Sequence, residues 1–288
     1  MKKKININKN YLIILGLISI LLFGGIIYSV ICLRNNNVGI SPVANLGALK
    51  SSDKESVLRY LYGNFDSITQ SAKWTLLDAD IESSSLGKIN NNYKDNVFDV
   101  KISLSTVTEE GDLMVLTNAV NSKINSAVDG AIIGAFIFKK NGDSWNLANK
   151  DKALTVMGEG GNPPINSDLS VVRYGSNKYA FKVMLRGGGQ GYETSSVQLI
   201  APEGNRFSRI FQFRTSESNS AVGLSKEHTY SYDSEIILAP VSKSDYFEIK
   251  AVQKGTIYTK ITDPEPSIKN INEVHTYQFI NGKYEEVK

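Results

Sequence analysis

Four glycines stand within five residues in the stretch LRGGGQGYETSSVQL, which runs from Leu185 to Leu199. Glycine-rich turns bind phosphate when a strand precedes them and a helix N-terminus follows, because backbone N–H groups then point at the ligand. The spacing fits neither phosphate motif: counted from Gly187, the last glycine of G-x-G-x-x-G is replaced by Tyr192, and G-K-[ST] is absent. Strand-like residues on both sides predict a mobile hairpin loop instead.

This glycine-rich stretch is nevertheless the best candidate for a contact surface. It could form one rim with the second glycine cluster, GEGG at 158–161, and such backbone-rich rims can bind peptides or glycans. The residues that we expect to form the ligand or partner rim are Gly187, Gly189, Gln190, Gly191 and Tyr192.

The stretch DADIE places Asp78, Asp80 and Glu82 at alternate positions. On a strand all three would share one face, where they could supply part of a calcium site. Calcium takes six to eight oxygen ligands, however, and three carboxylates in a row do not form such a cage. We therefore expect a solvated strand face and no bound metal or cofactor.

The two histidines, His228 and His275, are each isolated among strand residues. A zinc site needs three or four clustered ligands, and the one cysteine, Cys32, ends an apolar run far from both. The G-x-S-x-G elbow of serine hydrolases is absent. These patterns favour a non-enzymatic protein, with an anchored hydrolase that uses one of the histidines as the remote alternative.

The stretch RFSRIFQFR interleaves arginine with phenylalanine, a composition that can bind single-stranded nucleic acid. Strand alternation would place Phe207, Phe211 and Phe213 on one face, which is the ordinary pattern of a core strand. The net charge also disfavours binding to nucleic acid, because residues 51–288 contain 26 basic and 29 acidic side chains and carry a net charge of −3. We therefore expect no nucleic-acid partner.

A stretch of 23 uncharged, mostly apolar residues at 11–33 predicts a membrane-spanning helix. A helix of that length reaches about 35 Å, which exceeds a hydrocarbon core of about 30 Å. Four lysines precede the stretch and one arginine follows closely, which places the N-terminus in the cytoplasm. A cleaved signal peptide is the alternative, but its apolar region should be shorter.

The first part of the predicted extracytoplasmic region reads as a helix followed by strands. Ser52 and Glu55 fit a capping box, and the apolar residues Leu58, Leu61, Phe65 and Ile68 then form a one-sided stripe that we expect to continue through Gly63. The strands are predicted at 97–107, 112–120 and 131–140, and a further strand follows the hairpin turn Asn141-Gly142, for which we expect type I′ geometry.

Seven strand-like runs then extend from Leu169 to Val287, separated by turn residues. Regular short strands with such turns predict an antiparallel sandwich or open barrel. Six tyrosines lie in the later runs, where they could form contact surfaces or simply favour strands: Tyr230, Tyr232, Tyr246, Tyr258, Tyr277 and Tyr284.

Together these patterns predict an α+β protein in five segments. They are a cytoplasmic stub at 1–10, the transmembrane helix at 11–33, a linker at 34–51, a helix-plus-antiparallel-sheet domain at 52–155 and a mainly antiparallel β domain at 165–288. We expect a single-pass protein of the bacterial cytoplasmic membrane whose outer part binds another envelope protein. A binding protein for glycan or peptide at the glycine-rich rim is the alternative.

Overall fold

The computed structural model describes residues 47–287 apart from 88, 91–92, 122–129, 159–162, 224–227, 243 and 260–266. The predicted stub, the predicted transmembrane helix and most of the predicted linker therefore lie outside the described residues. Across the described ranges, no helix is both long and apolar enough to cross a bilayer. The α+β prediction is confirmed at the coarse level, because a small helical part accompanies antiparallel sheets and strand makes up 63% of the structure.

The described ranges contain two short α-helices, two 3₁₀ segments and thirteen strands. The helices are α1 (Lys54–Tyr62) and α2 (Asp78–Ser83). The strands of the first sheet are β1 (Ala72–Thr75), β2 (Val97–Val107), β3 (Leu113–Val120), β4 (Ala131–Asn141) and β5 (Ser144–Met157). Those of the second are β6 (Leu169–Gly175), β7 (Lys178–Gly189), β8 (Tyr192–Glu203), β9 (Arg206–Ser218), β10 (Ser231–Ala239), β11 (Glu248–Thr259), β12 (Ser267–Ile280) and β13 (Lys283–Val287).

Helix α1 begins and ends differently from the prediction. Asp53, not Ser52, is the N-cap, and its carboxylate accepts the N–H of Ser56 at 2.9 Å. Gly63 ends the helix, because its φ of 78° lets its N–H close the last turn onto the carbonyl of Arg59. The predicted apolar stripe is therefore cut short, and Ile68 beyond it is 91% exposed.

The predicted strand at DADIE is wrong, since this segment forms helix α2. The Asp80 carboxylate accepts the backbone N–H of Leu77 and so satisfies a donor at the helix start. Helical geometry places Asp78 and Glu82 on one side and Asp80 on another, because residues two apart do not share a helix face. The three carboxylates therefore do not converge, and Asp78 pairs with Lys94 at 2.7 Å.

The first sheet is a five-stranded antiparallel meander whose strand β4 is buried on both faces. Its side chains point alternately to the two faces of the sheet. Ile133 and Ile137 pack in the cluster shared with the second sheet, whereas Phe136 and Phe138 pack with α1. The change from the first sheet to the second falls between Met157 and Leu169. The assignment of two outer domains stays a prediction.

The second sheet is an eight-stranded antiparallel meander that curls into a half-barrel. One face of its early strands contributes Phe181, Ile200 and Phe207 to the core shared with the first sheet. The other face forms a separate apolar cluster that extends from β6 to β13. An isolated bridge between Gly175 and Tyr246 joins the end of β6 to the segment before β11.

A β-bulge corrects the predicted alternation in β9. Arg209 pairs with Ile200 and Phe211 with Leu199, so Ile210 is an extra residue between them. The bulge changes the face of the sheet to which the following side chains point. Phe207 packs towards the first sheet, while Phe211 and Phe213 pack in the half-barrel cluster. The three phenylalanines therefore do not share one face as predicted.

The hairpin at Asn141-Gly142 is confirmed, but its predicted turn type is wrong. Asn141 pairs with Ser144, so the two turn residues are Gly142 and Asp143, and of these Gly142 has a positive φ. A type I′ turn needs positive φ at both central residues. That requirement is met at Asn281-Gly282, which joins β12 to β13.

Candidate functional site

The glycine-rich stretch forms the end of a tight hairpin between β7 and β8. Three cross-strand pairs continue through the glycines, namely Gly187 with Thr194, Gly188 with Glu193 and Gly189 with Tyr192. The hairpin prediction is confirmed, but three of the four glycines, at 187–189, belong to strand β7 and not to a loop. No helix follows them, so this end lacks the helix N-terminus that a phosphate cradle uses.

The hairpin turn itself consists of Gln190 and Gly191, whose φ values are 53° and 89°. Positive φ at both positions is the type I′ pattern that matches strand twist. A Cβ on Gly191 would lie 2.6 Å from the backbone nitrogen of Val222 and 2.7 Å from the carbonyl carbon of Ala221. The turn therefore packs directly on the 3₁₀ segment Ser220–Val222, which holds the hairpin end in place.

The hairpin end, defined as Gly187–Tyr192, presents an aromatic ring next to open backbone. Tyr192 is 45% exposed, and Gly188, Gly189 and Gln190 are exposed beside it. Tyrosine rings supply rigid contact area at low entropic cost, and exposed backbone groups add hydrogen-bond donors and acceptors. This arrangement suits binding by contact, to a protein surface or to a sugar face.

A half-buried network near the hairpin end centres on Glu217, whose neighbour Thr194 lies on β8. Its carboxylate accepts the Tyr230 hydroxyl at 2.6 Å and an Arg214 N–H at 2.6 Å. Burial would raise the pKa of Glu217, but these hydrogen bonds outweigh it and hold that pKa below its ordinary value. Burial, together with the Glu217 carboxylate, raises the pKa of Tyr230. The carboxylate is therefore held ionised as a fixed acceptor.

The segment after β9 is tied to this network through Asn219, which is 1% exposed. Its side chain donates to the His228 carbonyl at 2.9 Å and accepts the Tyr230 N–H at 2.8 Å. The Tyr258 hydroxyl also donates to the His228 carbonyl, at 2.6 Å. No sequence motif predicted this network, because its members come from β9, from the segment between β9 and β10, and from β11.

The six tyrosines near the C-terminus do not form an exposed contact surface, which was one of the two interpretations of their sequence pattern. Tyr230, Tyr232 and Tyr284 are buried, and the other three are half-buried. The exposed tyrosine of the hairpin end is Tyr192. The strand-forming interpretation therefore describes these six residues better.

The two histidines are far apart in the fold. His275 lies on β12, where its Nδ1 is 2.8 Å from a Glu286 oxygen and its Nε2 is 3.7 Å from Glu273. Carboxylates thus face both ring nitrogens, and the ring packs near Phe213 with centroids 5.9 Å apart. His228 precedes β10 and contributes its carbonyl to the Asn219 contacts. This geometry does not place a serine against the His275 ring.

A cleft of about 220 Å³ adjoins the hairpin end, but none of the residues Gly187–Tyr192 lines it. The single rim formed by the two glycine clusters therefore stays a prediction. Gly158 lies across it from Met184, Leu185 and Arg186, which directly precede Gly187; residues 159–161 of the second glycine cluster lie outside the described residues. Arg186 donates from Nη2 to Asp168 at 2.7 Å. The cleft walls are otherwise mostly apolar.

A second cleft, of about 210 Å³, lies between the two sheets and had no sequence signal. Lys139 contacts Asp112 at 2.5 Å on one side, and the Lys178 ammonium lies 5.0 Å above the Tyr246 ring on the other. Its lining residues come from six strands and two turns, so no local spacing could have predicted it.

Across the described ranges, no group of three or more His, Cys, Asp or Glu side chains is arranged to hold a metal ion. Comparisons of the whole chain with protein-family models, with curated proteins and with solved structures found no match.

Proposed function

We propose that this chain is a single-pass protein of the bacterial cytoplasmic membrane whose outer part binds another envelope protein without catalysing a reaction. The anchor in this proposal is the apolar stretch at 11–33, with the lysine-rich N-terminus in the cytoplasm. The observation that carries the binding proposal is the exposed Tyr192 ring on a hairpin end that packs against Ser220–Val222.

The hairpin end is fixed before it binds, which reduces the entropy that binding costs. An aromatic side chain on a fixed turn loses little freedom on binding, so more of its contact energy appears as affinity. Asn219, which directly precedes the segment on which the turn packs, is held by Tyr230 and the His228 carbonyl, and Tyr230 is in turn held by the ionised Glu217. Interface energy concentrates in a few such anchors, and tyrosine is among the residue types enriched there.

The direct test is chemical crosslinking of the full-length protein in intact cells, followed by purification and identification of what is bound. We expect one envelope protein to be enriched over an anchor-only chain and to be lost in Tyr192→Ala. Ile68→Ala is the matched control, because it removes a side chain that is 91% exposed outside the hairpin end. Enrichment that survives Tyr192→Ala would remove the hairpin end from the proposal, and no enrichment would reject the interaction itself.

The anchor has a separate test. We expect the full-length chain to stay in the membrane fraction after alkaline carbonate extraction, and its C-terminal part to be digested by protease added outside spheroplasts. A chain that lacks residues 11–33 should appear in the soluble fraction. Release of the intact full-length chain by carbonate would contradict a membrane-spanning helix.

The second candidate function is binding of a glycan or peptide ligand at the same hairpin end. It is favoured by the position of the Tyr192 ring beside exposed glycine backbone, since sugars and extended peptides can use both. Soluble cell-wall glycan fragments that bind the detergent-solubilised full chain, and that bind Tyr192→Ala at least ten-fold more weakly, would favour this function over protein binding.

A further inference from the structure

Strand β12 has an open edge over the first part of its length. On one side it pairs with β11 from Ser267 to Tyr277 without a register shift. On the other side β13 pairs only with Thr276–Ile280. In the part of the chain that the structure describes, residues 268–274 therefore have no strand partner on that side, and the backbone hydrogen bonds outside the ladders add none. We call residues 268–274 the open edge.

The hairpin after β12 shows which backbone groups point out of the open edge. Ile280 and Lys283 flank a type I′ turn, in which the first carbonyl faces the N–H three residues later, so the backbone groups of Ile280 point towards β13. Successive residues of a strand point these groups to opposite sides, and the ladders of β12 have no bulge between 267 and 280. The outward N–H and C=O groups of the open edge therefore belong to Ile268, Asn270, Asn272 and Val274.

Most side chains of the open edge are exposed. Val274 is 61% exposed although it is apolar, whereas Ile271 is 5% exposed on the opposite face of the sheet. Lys269 and Glu273 lie on either side of Ile271, and their Nζ and Oε1 atoms are 3.8 Å apart, which is too long for a hydrogen bond. Both charges can therefore pair with a second strand. Proline, which natural edges use to prevent pairing, is absent from 268–274.

The open edge is complementary to a second copy of itself in one antiparallel register. The outward backbone groups of two such edges meet only when even-numbered residues lie opposite even-numbered residues. In the register centred on Ile271, Lys269 lies opposite Glu273 of the second copy. Ile268 lies opposite Val274 of the second copy and covers this exposed side chain from the edge. A two-fold axis repeats each pair, so the interface contains two charge pairs and two apolar pairs.

Other registers lose this match. A shift by two residues in one direction places Lys269 opposite Ile271 of the second copy, and a shift in the other direction places Glu273 there. The space along the edge selects the same register, because Ser267 of the second copy then lies opposite His275, one residue before the stretch that β13 covers. A segment of another protein would have to supply the same order of charged and apolar residues, which this chain already contains.

We infer that two copies of this chain associate through the open edge of β12, with residues 268–274 paired antiparallel about a two-fold axis at Ile271. The two eight-stranded sheets then form one continuous sheet across the axis. The inference goes beyond the proposed function, since it concerns binding of the chain to itself and uses neither Tyr192 nor the hairpin end.

The test measures self-association of the full-length chain in detergent by sedimentation equilibrium at low ionic strength. We expect dimers whose population rises with concentration. In Lys269→Glu, and equally in Glu273→Lys, like charges face each other at both ends of the interface, so the dissociation constant should rise about ten-fold. Lys101→Glu is the control, because Lys101 is exposed on β2 of the first sheet, and it should leave the dissociation constant unchanged.

Mixing the two charge variants separates the interface from contacts inside one chain. In a heterodimer of Lys269→Glu with Glu273→Lys, every charge faces its opposite across the interface, so an equimolar mixture should recover the wild-type affinity. Within each chain the two side chains still carry like charges, so the contact between Lys269 and Glu273 of one chain cannot produce this recovery. A mixture that associates no better than either variant alone would overturn the inference.

Asn272→Pro tests strand pairing apart from charge. The Asn272 N–H points out of the open edge, so proline removes an outward donor without removing a donor from the ladder with β11. We expect dimers to be lost while the circular dichroism spectrum stays that of the wild type. Monomers at every concentration, or dimers that all three variants retain, would also overturn the inference. If cellular crosslinking still depends on Tyr192 in that case, the proposed function stands and this surface alone is rejected.

Discussion

The Tyr284 hydroxyl donates to the Tyr174 carbonyl at 3.2 Å, which joins the last strand of the half-barrel to the first. The same hydroxyl lies 2.9 Å from the Phe247 carbonyl, and the Tyr284 ring packs edge-on against Phe211 and Phe279. These contacts connect parts of the chain that are 110 residues apart. They hold the curl of the sheet, because the ladder itself does not pair β13 with β6.

Tyr284→Phe should therefore destabilise the fold by about 1 kcal/mol, the usual net contribution of one buried hydrogen bond. Tyr284→Ala should cost about 3–5 kcal/mol, because it also removes a buried ring. Urea unfolding of the full chain in detergent, followed by circular dichroism, measures both. The control is Tyr192→Phe, whose hydroxyl has no hydrogen bond in the described part of the chain and whose loss should change stability by less than about 0.5 kcal/mol. Equal effects at Tyr284 and Tyr192 would contradict this role.

The second prediction concerns the hairpin turn. Gly191→Ala should destabilise the protein and weaken partner crosslinking, because its Cβ would meet the backbone of Val222 at a φ of 89°. Gly204→Ala is the control, because it introduces the backbone strain of a positive φ (59°) without a steric contact: nothing lies within 4 Å of the added Cβ. We expect about 1 kcal/mol for Gly204→Ala from backbone strain, and a larger loss for Gly191→Ala. Similar losses would mean that the packing on Val222 adds nothing.

The third prediction concerns the start of α1. Asp53→Ala should cost about 1 kcal/mol at neutral pH, as expected for an N-cap, whereas Ser52→Ala should have almost no effect. Hydrogen bonds from the Ser51 and Ser56 hydroxyls, and from the Ser56 N–H, lower the pKa of Asp53 to about 2. The stabilisation is therefore complete above the unfolded pKa of 3.8 and is lost as the pH falls through about 2. Unfolding curves of both variants at several pH values between 7 and 2 measure this, and a pH-independent difference would contradict it.

The fourth prediction concerns the Glu217 network. Glu217→Gln keeps the shape but removes the charge that accepts from Tyr230 and Arg214, so it should destabilise the protein by about 1 kcal/mol at pH 7. Because the pKa of Glu217 is lowered in the folded protein, its stabilisation is present above the ordinary value of 4.5 and is lost as the pH falls below it. The difference in unfolding free energy should therefore shrink from pH 7 to pH 3. Glu193→Gln, at an exposed position of the hairpin, is the control for loss of one carboxylate at pH 7 and should change stability by less than about 0.5 kcal/mol.

Much of the strand pattern could be predicted from local residues. The alternation at 97–107 coincides with β2, and the strand-like runs after Leu169 coincide with β6 to β13 apart from their ends. Alternation works there because one face of each strand is buried and the other is not. The alternation rule gave a wrong prediction at DADIE, because acidic residues at every second position also occur in this short helix. It was also wrong in β9, because the extra residue Ile210 moved Phe211 to the other face of the sheet.

The candidate site also has features that could be predicted from the sequence and features that could not. The amino-acid sequence by itself determined the apolar stretch at 11–33, the hairpin and the absence of a phosphate motif, because each depends on residues that are neighbours in the chain. Only the tertiary structure decided that Gly191 packs on Val222, that Glu217 joins Tyr230 to Arg214 and that β9 and β10 pair at three positions. Each of these features joins residues that are distant in the chain and meet only after folding, as the Tyr284 hydroxyl of β13 meets the Tyr174 carbonyl of β6.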